Sequence, residues 1–221
     1  MQLEFIPASS PQPVAAYLAA KILAQLADGR SVLWLLSGGS GIATAVATAS
    51  LLSGHDLSSL TVSLIDERYG PPGHADSNWH QLEVAGLKLP GATLHPVLTG
   101  ASESDTAAAF AKFLADQFDT ADHVLGLLGI GLDGHTSGIL PHSPAVTAPG
   151  LVCAYDGGQY QRLTTTPRAL KHLNEAVAYA AGEAKWPVLD RLETDLPIAE
   201  QPAQALKAVP HLTIFTDRPL H

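Results

Sequence analysis

Asp133, Gly134 and His135 sit inside GIGLDGHTSGILP, residues 129–141, directly after the apolar run HVLGLLG. Imidazole is the side chain that titrates near neutrality unaided, so His135 is a natural general acid or base. A carboxylate two residues away can hold its tautomer and steady the charged ring. An ordinary loop histidine bonded to its neighbour would give the same letters. Gly129, Gly131 and Gly134 also match G-x-G-x-x-G, but Gly138, Pro141 and Pro144 break the segment where a dinucleotide fold needs a long helix. His135 and His142 lack the i, i+4 helical spacing of a zinc protease, and no acidic ligand stands beside them. Neither metal nor nucleotide cofactor is expected.

Two other stretches could handle an anion. Ser37, Gly38, Gly39 and Ser40 run into Gly41 between an apolar run and an Ala/Thr-rich segment. Glycines let successive N–H groups point one way, and a helix N-terminus adds partial positive charge, which suits phosphate or carboxylate. No Gly-Lys-Ser/Thr follows, so this is no Walker loop. The plainer alternative is a strand–helix turn capped by serine. Asp66, Glu67 and Arg68 end another apolar run. Arg68 either makes an ion pair of no functional meaning or neutralises a substrate anion or developing oxyanion. No serine stands in a G-x-S-x-G elbow.

These groups need a frame. Helices are expected over residues 11–27, 42–52 and 102–118, with a short one from about Ser77 and one over 182–192 interrupted at Pro187. SESD at the start of the third resembles a capping box. Apolar runs over 31–36, 60–65 and 123–128 read as buried strands, with further strands over 92–97, 152–155, 161–165, 176–180 and 212–215. Alternating strands and helices predict an α/β chain: a Rossmann-like, open, mostly parallel sheet with helices on both faces, as one domain over 1–221. Ligands bind at the carboxyl ends of such strands, so the three stretches should meet on one edge.

Composition sets outer limits. The chain has 221 residues, 46% hydrophobic and 15% charged, with a formal net charge of −9 and no basic block. That argues against a nucleic-acid groove, though a few local cations could still hold a small anion. Cys153 is the only cysteine, so no internal disulfide or thiolate zinc cluster can form; LVCAY marks it as a buried strand residue. The start MQLEFIPASS has neither the basic residues nor the apolar core of a signal peptide, and no run approaches the ~20 residues that span a bilayer. A cytoplasmic setting fits. His55, His80, His95, His172, His211 and His221 have no partners in the sequence and are expected to be structural or solvated.

Taken in order, S-G-G-S, D-E-R-Y-G-P-P-G-H-A-D-S-N and G-I-G-L-D-G-H-T-S-G-I-L-P resemble the 6-phosphogluconolactonase family, which shares a superfamily with glucosamine-6-phosphate deaminase. Gln161-Arg162-Leu163-Thr164 and Gly182-Glu183-Ala184-Lys185 resemble two later family segments. The resemblance implies a Rossmann-like fold and hydrolysis of 6-phospho-D-glucono-1,5-lactone to 6-phosphogluconate, in the oxidative pentose phosphate pathway, without metal or cofactor. It implies that the SGGS loop, Arg162 and Lys185 hold the phosphate of a small sugar-phosphate substrate, and that His135 is the base, assisted by Asp133 and Arg68. Asp66, Glu67 and Asn78 are candidates for the sugar hydroxyls. A monomer or small homo-oligomer is expected. Deaminases carry a Glu five positions after the His, where this chain has Leu140. Gly138 and Leu140 also stand where the lactonases more often have Ser and Phe. The alternatives are a deaminase-like enzyme, against which Leu140 speaks, and a non-catalytic sugar-phosphate binder.

Overall fold

The computed structural model of the chain describes residues 2–219; His221 lies outside them. The chain runs β1 (Gln2–Pro7), α1 (Pro11–Ala27), β2 (Val32–Leu36), α2 (Gly41–Leu52), β3 (Leu60–Leu64), β4 (Asp66–Arg68), α3 (Asn78–Val84) and β5 (Thr93–Leu94). It continues through α4 (Glu103–Thr120), β6 (His123–Leu128), β7 (Val152–Asp156), β8 (Gln161–Thr165), α5 (Pro167–Leu170), β9 (Glu175–Tyr179), α6 (Trp186–Glu193) and β10 (His211–Thr216).

Seven strands form one parallel sheet in the order β1-β10-β9-β6-β2-β3-β5. Every residue of β2 is buried, so both faces of the sheet are covered there. Helix periodicity supplies the cover: α1 buries Val14, Leu18 and Ile22, and α4 buries Thr106, Phe110 and Leu114, each set spaced by four. The Ser102 hydroxyl accepts from the Asp105 N–H at 3.2 Å and donates to the Asp105 carboxylate at 2.7 Å, closing the expected cap of α4. α1 stops at Asp28-Gly29, where Gly29 has φ 73°. Among the described residues no helix is long and apolar enough to cross a membrane.

The topology reverses beside β2. From β2 the chain moves outward to β3 and β5, then returns to β6 on the other side and continues to β9 and β10. The carboxyl ends of β2 and β6 therefore flank the crevice where such sheets bind ligands.

Several elements differ from expectation. β7 and β8 do not join the parallel sheet. With β4 they form a separate three-stranded antiparallel sheet in the order β4-β8-β7. β1 is an edge strand that lies outside every expected element. The strand expected over 92–97 shrinks to Thr93–Leu94; beyond it the His95 carbonyl accepts the Ser63 hydroxyl at 2.8 Å, and Pro96 has no N–H to extend the ladder. Pro187 interrupts nothing: it stands in the first turn of α6, where its missing N–H costs no bond. Cys153 lies in β7 but is only half-buried. His95 stacks on Phe113 and His172 on Phe118, with ring centroids 3.6 Å and 4.6 Å apart, so both are packed aromatics.

Candidate active site

The loops after β2, β3 and β6 meet around a cavity of about 500 Å³. Ser37, Gly38, Gly39, Ser40, Asp66, Arg68, Asn78, His135, Arg162 and Lys185 all line it. Segments as far apart as Ser37 and Lys185 are thus joined by the sheet edge.

The loop after β6 is built around one close approach. A β-carbon on Gly131 would stand 2.2 Å from Cε1 and Nδ1 of His135, so glycine is what lets the imidazole lie against the backbone. Gly134, at φ 85°, makes the turn, and the Thr136 hydroxyl ties it to the Gly129 carbonyl at 2.8 Å. Asp133 Oδ1 lies 2.6 Å from His135 Nδ1 and accepts the His135 N–H at 3.1 Å. Partial burial pushes the Asp133 carboxyl up, but the His135 N–H and the neighbouring imidazole outweigh it and hold it below its ordinary value. An ionised carboxylate only accepts, so Nδ1 carries the shared proton and Nε2 is left as a base.

The loop after β2 is an open donor set. The N–H groups of Gly38, Gly39 and Ser40 donate to no acceptor among the described residues. Ser40 makes no side-chain cap for α2, and the buried Ser37 hydroxyl has no partner. The capping alternative therefore has no hydroxyl to perform it. Gly38 is required by its neighbour, since a β-carbon there would lie 1.9 Å from Asn78 Oδ1. Asn78 donates to the Asp66 carbonyl at 2.9 Å and leaves its own Oδ1 unpartnered.

The antiparallel sheet forms the opposite wall. Arg68 and Arg162 face each other directly across the β4–β8 ladder, and neither meets a carboxylate in a salt bridge among the described residues. Both Nε atoms are buried without a partner. Asp66 lies on the same face and is 6% exposed. Burial raises its carboxyl above the ordinary range, against the pull of Arg68, Arg162 and His135. Lys185 bonds the Ile130 carbonyl from the far side, and burial lowers its ammonium despite nearby Asp133. Buried polar atoms without partners on Ser37, Arg68, Asn78, Ser137 and Arg162 thus converge on one cavity. Such groups are costly unless something fills them.

Glu67 departs from expectation. It is fully buried and does not line the cavity. Its carboxylate accepts the N–H groups of Arg68 at 2.7 Å, Asn78 at 2.7 Å and Trp79 at 3.2 Å, and the Ser77 hydroxyl at 2.9 Å. That makes it an anchor for the start of α3 rather than a sugar contact. Burial still pushes its carboxyl up, against those donors.

The sequence pattern of the family described as "Glucosamine-6-phosphate isomerases/6-phosphogluconolactonase" matches residues 7–214. The chain belongs to this family. The 6-phosphogluconolactonase of Rhizobium meliloti (strain 1021) is 29% identical over 213 residues, covering 90% of each chain. That of a Synechocystis strain is 32% identical over 139 residues, covering 58% of this chain and 57% of its own length. The crystal structure of a 6-phosphogluconolactonase from Shewanella baltica OS155 superposes with a TM-score of 0.81 at 23% identity, covering 97% of this chain and 98% of that one, a likeness of fold.

Within this family frame, Ser137 and Gly138 of the His135 loop also line the cavity, as do Gln159 and Tyr160, which stand in no motif. Gly138 has a steric reason to be glycine. It has φ 72°, and a β-carbon would lie 2.9 Å from Asp66 Oδ2 and 3.0 Å from Thr164 Oγ1. Ser137 (φ 51°) passes its carbonyl to the Thr164 hydroxyl and keeps its own buried hydroxyl unpartnered at the cavity floor. Among the described residues no three His, Cys, Asp or Glu side chains converge as a metal site.

Proposed function

We propose that the chain hydrolyses 6-phospho-D-glucono-1,5-lactone to 6-phosphogluconate, with His135 as general base. One observation carries the reading: a carboxylate-oriented imidazole shares its cavity with unpartnered anion donors. The phosphate docks on the amides of Gly38, Gly39 and Ser40, the Ser37 hydroxyl, Arg162 and Lys185. Charge-assisted bonds of this kind fix the sugar so that its lactone carbon faces the imidazole. His135 Nε2 takes a proton from water as that water attacks the carbonyl, and Asp133 stabilises the imidazolium. Arg68 steadies the tetrahedral oxygen. The imidazolium then protonates the departing ring oxygen. Asp66, Asn78 and Ser137 are placed for the sugar hydroxyls.

Leu140 packs against the hydrophobic core and can relay no proton, which removes the part that deaminase chemistry needs. The test is hydrolysis of freshly generated lactone, with the spontaneous rate subtracted. His135→Ala should lose ~10²–10⁴-fold of the enzymatic rate while 6-phosphogluconate still binds. Full turnover by that variant, or none by the unmodified chain, overturns the reading.

A further inference from the structure

We infer that Tyr160 is the positioning residue for both arginines of the site. This rests on the sugar-phosphate reading above and adds a part no motif supplied. Like charges directly opposite on a ladder repel, and Arg68 and Arg162 are such a pair. No carboxylate bridges them, and Asp66 is buried below rather than bonded to either. What both guanidiniums share is one aromatic ring. Arg68 Cζ lies 5.1 Å and Arg162 Cζ 5.8 Å from the Tyr160 ring centroid. Both fall within the ~6 Å over which a ring quadrupole attracts a cation.

The surrounding hairpin fits that role. Tyr160 sits between β7 and β8 in the turn that closes the antiparallel sheet, and Gly157 in the same turn donates its N–H to the Tyr160 carbonyl at 2.9 Å. A β-carbon on Gly157 would stand 2.6 Å from Arg162 Nε, so the turn closes over the arginine stem. Arg68 is also tied by Nη1 to the Asp76 carbonyl at 2.9 Å. Arg162 has no such tie among the described residues, and its placement depends more on the ring. The Tyr160 hydroxyl only accepts from its neighbour Gln159, at 2.9 Å, so the ring face and not the hydroxyl is the working part.

The experiment compares Tyr160→Ala, Tyr160→Phe, Arg162→Ala and the double variant Tyr160→Ala/Arg162→Ala. Inorganic phosphate affinity is measured by calorimetry at low ionic strength, beside KM and kcat for the lactone and a thermal melt. Tyr160→Ala should weaken phosphate binding about tenfold and raise KM more than it lowers kcat, with an unchanged melt. Tyr160→Phe should restore binding to within about twofold. In the Arg162→Ala background, Tyr160→Ala should add little, because the ring acts through the guanidinium. Unchanged phosphate affinity in Tyr160→Ala overturns the inference. So does full additivity in the double variant, which would mean that the ring touches the ligand itself. A chain that binds phosphate in this pattern yet hydrolyses no lactone would sink the lactonase reading and leave the Tyr160 inference standing.

Discussion

Gly131→Ala isolates the orientation of the imidazole from its presence. The φ of Gly131 is outside the left-handed range, so alanine meets no backbone strain. Its new methyl would stand 2.2 Å from His135 Cε1 and Nδ1 and 2.7 Å from Asp133 Oδ1. Ordinary carbon contacts begin near 3.5 Å, so the ring must retreat by about 1 Å or more. The His135 side chain is 39% exposed and can move outward without opening the core. A displacement of that size costs ~10²-fold in turnover, about 2.7 kcal/mol of barrier. The Ser37–Ser40 loop and Arg162 are untouched, so 6-phosphogluconate affinity should stay within about twofold and the melting temperature within a few degrees. The assay is continuous hydrolysis of fresh lactone, run beside His135→Ala and the double variant. The double variant should be no slower than His135→Ala, because a misplaced base and a missing base cannot both be lost. Turnover by Gly131→Ala within about threefold of the unmodified chain would refute the claim that the Asp133–His135 geometry sets the rate.

Asp66→Asn should stabilise the fold increasingly as pH rises above about 4. The buried carboxyl has its affinity for a proton raised, so the native chain holds that proton to higher pH than the unfolded chain, and stability falls as pH climbs through that window. Asparagine cannot ionise and escapes the loss; urea midpoints at several pH values that run parallel for the two proteins would contradict this. Glu67→Ala should destabilise by about 3 kcal/mol, since three N–H groups and one hydroxyl lose their acceptor, and a chemical denaturation curve measures it. Ser137→Ala should lower kcat/KM for the lactone about tenfold with no loss of stability, because its hydroxyl has no protein partner to lose. An unchanged kcat/KM would remove Ser137 from the site.

What was legible in the sequence was what is local. Asp133 and His135 meet because two residues on a glycine turn must, and SGGSG exposes its amides because glycine allows it. Glu67 was misplaced for a reason that is also local. In β4 successive side chains point to opposite faces, so Asp66 and Arg68 enter the cavity together and Glu67 is turned into the protein beneath α3. At the end of an apolar run the three letters DER carry no sign that they form a strand of their own, with its alternation. Proline inside a helical pattern and proline in a helix's first turn carry the same letter, so from sequence Pro187 reads as an interruption.

Tyr160 was illegible for a different reason: it meets the two arginines through a strand pairing that no local pattern encodes. The antiparallel sheet sets Arg68 against Arg162 across ninety-odd residues of intervening chain, and the parallel sheet has no part in their spacing. The site therefore has two independent frames. The parallel sheet aims amides and an imidazole from the carboxyl ends of β2 and β6, as its topology requires. The antiparallel sheet supplies a pair of like-charged guanidiniums set directly opposite each other. Sequence identifies the first frame because helix and strand periods mark it. The second is fixed by a ladder of three paired positions and one aromatic ring, and only the folded chain brings those together.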